Sequence, residues 1–289
     1  MNESILHFGP DRRLIGVLTV PEKSRSENTP AVVFLNAGII HRVGPNRIHV
    51  RLCRMLAEAG IPSFRFDLPG VGDSLPLNTS GSVEADHVQS VGFALDALEA
   101  QGVSSRFVLY GLCSGAMLGF RLTYEDPRVV GLVFLDPPRL LRTWRFHQVR
   151  ALQILRRPRV WVKLVLGRYG VIRYLRGWAA SAWEGLRGSG VGPRDRDLKK
   201  EAEEALRLMV SRDVKLLLIV TGSMSDQYNY QNQFLDAFSA VDLRRILRIG
   251  FFPQFEHQFP RESSRRKLMA EVLDWYESSP FGMGRPAGR

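Results

Sequence analysis

Apolar and polar positions alternate along this chain in blocks that switch between two periods. Short, largely apolar stretches stand at 31–35, 62–66, 107–110, 129–135, 214–220 and 246–251; those at 31–35, 107–110 and 129–135 carry no charged residue, the pattern of strands buried on both faces. Between them lie amphipathic stretches at helical spacing, about 47–59, 83–100, 114–122, 230–241 and 261–277. Two further strands, 5–9 and 12–20, precede them and are joined by a Gly9-Pro10-Asp11 turn. Strand and helix alternating in this way predict an α/β fold with a mostly parallel sheet covered by helices on both faces.

One segment breaks the rhythm. Residues 139–187 keep a helical period without a convincing strand and hold Trp144, Trp161, Trp178 and Trp183, four of the five tryptophans. A loop at Gly188–Pro193 and a charged helix over 196–210 complete the interruption. The predicted organisation is a core in two parts, 1–138 and 213–280, an inserted helical cap over 139–212, and a Gly/Pro/Arg tail over 281–289.

Charge sharpens that division. The chain carries +11 overall, and 139–212 holds 18 Lys or Arg against 6 Asp or Glu, so the cap has +12 and the rest −1. Such a cap reads in three ways. It is a solvated lid whose Arg stems cover apolar surface, a docking face for an acidic acyl or peptidyl carrier protein, or a support on an anionic membrane. Trp161–Arg168 and Val171–Trp178 carry the membrane reading. Nucleic acid is not expected, because no recognised binding module accompanies the charge. No apolar run is long enough to span a bilayer, and the first residues lack a secretory leader pattern. Two cysteines, Cys53 and Cys113, form neither a disulfide framework nor a metal-ligand spacing, so the expected compartment is the cytoplasm and no metal or cofactor is expected.

The candidate chemistry centres on Gly111-Leu112-Cys113-Ser114-Gly115, set between the run 107–110 and the helix that follows. A nucleophile lifted on a tight strand–turn–helix elbow needs small residues two before and two after it, because strand and helix nearly touch there. That register puts Cys113 at the tip. Ser114 is the rival, but Leu112 would then occupy a position that must be small. A thiol acts as thiolate and needs a base to take its proton. His257 lies in the loop after the last strand, where this template places a base. His7, His41, His49, His87 and His147 read as surface or structural. The orienting acid is expected in the loop after the penultimate strand, at Asp226, with Asp136 at the end of 129–135 as the second choice. Backbone N–H groups of Ser114 and of Gly38 or Ile39 are the expected oxyanion donors. Asp67 and Asp73 read as ties for the Gly70/Gly72 loop.

Asn36-Ala37-Gly38-Ile39-Ile40-His41, Asp67-Leu68-Pro69-Gly70-Val71-Gly72-Asp73-Ser74 and Gly111-Leu112-Cys113-Ser114-Gly115-Ala116 resemble the α/β-hydrolase superfamily. Within it they are similar to bacterial hydrolases of exosortase and exopolysaccharide loci. The resemblance implies an α/β-hydrolase core, a helical cap after the sixth strand and a nucleophile–acid–histidine triad. Cysteine at the tip resembles dienelactone hydrolases and cysteine-type thioesterase domains. The activity this implies is acyl transfer from an ester or thioester to water or another acceptor. The second reading is a non-catalytic protein of the same fold that binds an acyl or hydrophobic ligand.

Overall fold

The computed structural model describes residues 1–26, 28–77, 81–138, 142–155 and 193–281, with the backbone alone for 154–155 and 193–196. Eight strands form one sheet: β1 Asn2–Phe8, β2 Leu14–Val20, β3 Ala31–Phe34, β4 Ser63–Phe66, β5 Phe107–Leu112, β6 Val129–Leu135, β7 Lys215–Thr221 and β8 Leu247–Phe252. Their order is β1-β2-β4-β3-β5-β6-β7-β8. β2 pairs antiparallel with both β1 and β4, and the pairs from β4 to β8 are parallel.

The period of two sorts the strand residues onto two apolar layers. Val33, Leu35, Phe107, Leu109, Leu132 and Phe134 face one layer. It is closed by α2 (Val83–Ala100) and α3 (Ser114–Glu125). Val32, Phe34, Val108, Tyr110, Val133 and Leu135 face the other. There α1 (Ile48–Glu58) contributes Leu52 and Leu56, and the last helix, Glu262–Ser278, contributes Leu268 and Val272. Ser82 caps α2 by accepting a hydrogen bond from the Ala85 N–H, which satisfies one of the first-turn donors.

Beyond shifts of a few residues at strand ends, three differences from the sequence reading bear on the site and its surroundings. β5 runs two residues past Tyr110, since Gly111 and Leu112 keep the ladder with Phe134 and Leu135. The helix expected over 230–241 shrinks to Gln233–Ala237, because Phe238 and Val241 turn inward to bury in the core. The charged helix, Pro193–Ser211, at the C-terminal end of the expected cap segment, packs one face onto the core. Leu206 and Met209 are fully buried in the same layer as α3, with Ala202 and Val210 packed beside them. Its charges obscure an apolar stripe at positions 202, 206, 209 and 210, the spacing of a buried face.

These helices take labels in chain order: α4 Trp144–Leu155, α5 Pro193–Ser211, α6 Gln233–Ala237 and α7 Glu262–Ser278. α4 and α5 are the described helices of the expected cap segment. α4 is tied to the core where Asn229 Nδ2 donates to the Phe146 carbonyl and where the Thr143 and Tyr230 hydroxyls meet at 2.6 Å. Trp161–Arg168, Val171–Trp178 and the loop 188–192 lie outside the described residues, as does 282–289 of the tail. Among the described residues no helix is long and apolar enough to cross a membrane.

Candidate active site

The C-terminal ends of β3, β5, β6, β7 and β8 share one edge of the sheet, where the loops from parallel strands bring distant residues together. Cys113 follows β5 with φ 56° and ψ −115°, a backbone conformation that non-glycine residues rarely adopt. The surrounding glycines show what holds it there. A Cβ on Gly111 would lie 2.2 Å from the Gly115 carbonyl oxygen, and one on Gly115 would lie 2.5 Å from that of Asn36. Strand, helix and the loop after β3 therefore approach backbone to backbone, and Cys113 takes the strain. Its side chain is half-buried.

Leu112 is the register partner of Leu135, and the Cys113 N–H donates to the Leu135 carbonyl at 3.0 Å. The next residue on β6's side is Asp136, so Cys113 and Asp136 occupy equivalent steps at the ends of adjacent strands. Asp136 is also in the left-handed region, at φ 45°, and only 1% exposed. Its carboxylate is fully engaged. Oδ1 accepts from the Thr221 N–H at 2.7 Å, and Oδ2 accepts from the Thr221 hydroxyl at 2.7 Å and from His257 Nδ1 at 2.7 Å. An ionised carboxylate only accepts, so Nδ1 carries the proton and Nε2 is left as the basic nitrogen.

The expectation that Asp226 would be the histidine's partner is corrected here: His257 pairs with Asp136. Asp226 is exposed five residues past the end of β7, whereas Asp136 follows β6 directly and is buried against the imidazole. The end of β7 serves as support instead. Thr221 holds the carboxylate. Gly222 donates to the Phe255 carbonyl at 3.0 Å, and Ser223 Oγ accepts from the His257 N–H at 2.9 Å, so the histidine loop is clipped to the strand beside it. A Cβ on Gly222 would stand 2.2 Å from the Pro253 carbonyl oxygen. Thr221 and Ser223 were not singled out from the sequence. Their signal was the run Thr221-Gly222-Ser223 closing a buried strand, which is common in loops without such a role.

The loop after β3 forms the other wall. Asn36 is buried; its Oδ1 accepts from the Leu68 N–H at 2.7 Å and its Nδ2 donates to the Ile40 carbonyl at 2.9 Å. Arg42 spans Asp67 and Asp73, with 2.6 Å to the latter, and the Asp73 N–H donates to Asp67 Oδ2 at 3.2 Å. The Asp67 carboxylate thus ties its own loop as expected, whereas the Asp73 carboxylate reaches across to Arg42 and binds that loop to the β3 loop. Of the expected oxyanion donors, the Ser114 and Ile39 N–H groups have no acceptor among the described residues. The Gly38 N–H differs, because it donates to Ser114 Oγ at 2.8 Å.

A cysteine with a strained backbone, a histidine and a buried carboxylate at one sheet edge have the parts for nucleophilic acyl transfer. Comparison with known proteins agrees with the fold. No curated protein sequence matches the chain. An esterase of Pyrococcus furiosus superposes with a TM-score of 0.56 at 12% identity, covering 96% of this chain and 90% of the esterase. The α/β-hydrolase GrgF of a Penicillium species gives 0.57 at 13% identity, covering 96% and 99%. An alpha-beta serine hydrolase homologue of Coxiella burnetii gives 0.53 at 14% identity, covering 94% and 96%. The family model for the alpha/beta hydrolase family matches residues 32–250, from β3 to the middle of β8, and so takes in every part of the site except the histidine loop. The chain belongs to the α/β-hydrolase family.

Proposed function

We propose that this protein cleaves an ester or thioester through an acyl-enzyme on Cys113. His257 Nε2 takes the thiol proton, and Asp136 holds the imidazole in the tautomer with a proton on Nδ1. The observation that carries this reading is the 2.7 Å bond from His257 Nδ1 to a buried carboxylate one strand away from a backbone-strained cysteine. A histidine–carboxylate pair without catalytic work would not call for a backbone-strained cysteine at the end of the adjacent strand. Thioesters suit the thiol better than amides, since their leaving group needs less protonation. Esterase activity in a fold-mate and the resemblance to hydrolases of exopolysaccharide loci support the class. A carrier-protein-bound acyl group is the favoured substrate form on charge grounds, with the basic segment 139–212 as its guide.

Intact-mass spectrometry after incubation with activated acyl esters and acyl thioesters tests the proposal. The expected result is a single acyl adduct that maps to Cys113 and is absent in Cys113→Ala. No adduct on the wild type, or an undiminished one in the variant, contradicts it and favours a binding protein of the same fold.

A further inference from the structure

The Gly38 N–H, an expected oxyanion donor, is already committed to Ser114 Oγ at 2.8 Å. The loop cannot easily turn that N–H elsewhere. Ile40 N–H donates to the Ala37 carbonyl at 3.1 Å, Asn36 Nδ2 donates to the Ile40 carbonyl, and Gly38 holds φ +57°. Among the described residues nothing lies within 4 Å of the position a Gly38 Cβ would take, and Gly38 and Ser114 are both exposed, so no described residue fills the space beside this bond. Ser114 Oγ is the acceptor in this bond, and its own O–H finds no acceptor among the described residues. Its backbone N–H opens α3 and is free beside it, at the positive end of the helix.

From this geometry we infer that Ser114 supplies two oxyanion donors, its backbone N–H and its hydroxyl, with the Gly38 N–H polarising the hydroxyl rather than binding substrate. A hydroxyl that accepts a strong hydrogen bond becomes a better donor. The inference rests on Cys113 being the nucleophile. As Cys113 Sγ bonds to the carbonyl carbon, the thiol proton passes to His257 Nε2 and the C=O π pair moves onto oxygen. Both Ser114 donors bind that oxyanion and transfer no proton. When the pair returns, the bond to the leaving group breaks, and the leaving alkoxide or thiolate takes the proton from His257. Ser114 is thus a catalytic residue beside the nucleophile, not its substitute.

The test compares wild type, Ser114→Ala and Ser114→Thr with two probes: hydrolysis of p-nitrophenyl butyrate, and alkylation of Cys113 by iodoacetamide, a displacement that forms no oxyanion. Ser114→Ala is expected to lower kcat about 100-fold with KM within about twofold, to leave the alkylation rate unchanged, and to be rescued by Ser114→Thr to within about tenfold of wild type. A kcat that is unchanged or raised in Ser114→Ala overturns the inference, a rise meaning that the hydroxyl merely fills the site. Equal losses in kcat and alkylation overturn it too, since they would mark a structural role. Wild type that alkylates but forms no acyl-enzyme would remove the functional reading beneath it, and the inference with it.

Discussion

Two neighbouring strands end at this site, and each offers an aspartate. β6 ends in Asp136, buried, with a left-handed backbone and three donors on its carboxylate. β7 ends in Thr221-Gly222-Ser223 and reaches Asp226 only after a further turn, where that side chain is exposed. The difference teaches that position on the sheet edge matters less than burial and bonding. A carboxylate can fix an imidazole only if it is itself fixed and shielded from competing water. β6 supplies the charge, and β7 supplies the bonds that hold it still.

The largest expected effect separates the two aspartates. Asp136→Asn should lower kcat by about 10³- to 10⁴-fold, because an amide in that position favours the wrong tautomer of His257. Asp226→Asn should stay within about twofold, measured in the same ester assay. Similar losses in both would erase the distinction between the strand ends.

Next in size is an effect on folding rather than on chemistry, carried by a histidine with no such carboxylate. His49 is buried against Phe34 and Tyr110, and desolvation by that burial lowers its pKa to about 4. Unfolded, it titrates near 6.5, so between those values the unfolded chain binds more protons. Stability from neutral His49 is therefore fully present above about pH 6.5 and lost as pH falls toward about 4, by on the order of 3 kcal/mol. Urea unfolding at a series of pH values should show this slope in wild type and a shallower one in His49→Phe. An equal slope in both would remove His49 as its source.

The third prediction concerns the support from β7. Thr221→Val removes one donor from a buried carboxylate, a change of about 1–3 kcal/mol. It should lower kcat by about tenfold or more, while Thr221→Ser, which keeps the hydroxyl, should recover most of the activity. The smallest effect is expected for Ser223→Ala, which frees the His257 backbone at a partly exposed site and should cost kcat only a few-fold, on the scale of about 1 kcal/mol. A larger loss there than in Thr221→Val would reverse the ranking of the two clips.

Much of this was legible in the chain itself. Buried strands announce themselves as apolar runs, and Val129–Leu135 and Val83–Ala100 fall where the periodicity puts them. The elbow was legible because Gly111 and Gly115 record a steric necessity: a Cβ added at either would lie only 2.2–2.5 Å from a backbone carbonyl oxygen. The acid was less so. Asp136 and Asp226 both follow buried strands, and choosing between them needs the path of the loop holding His257, which is set by Gly222 and Ser223 more than 30 residues earlier in sequence. The buried face of Pro193–Ser211 was hidden for another reason: charge counts average over a helix, whereas packing depends on one stripe of four residues. Hydroxyl bonds such as Gly38 to Ser114 depend on backbone placement to within fractions of an ångström, beyond what residue type encodes.

The central claim, that His257 is paired with the aspartate of β6, is open to direct observation by proton NMR of protein carrying ¹⁵N-labelled histidine. A strongly hydrogen-bonded Nδ1–H gives a far-downfield resonance assignable to His257 by its loss in His257→Ala. That resonance should be present in wild type and in Asp226→Asn and absent or moved far upfield in Asp136→Asn. Its survival in Asp136→Asn together with its loss in Asp226→Asn would contradict the pairing.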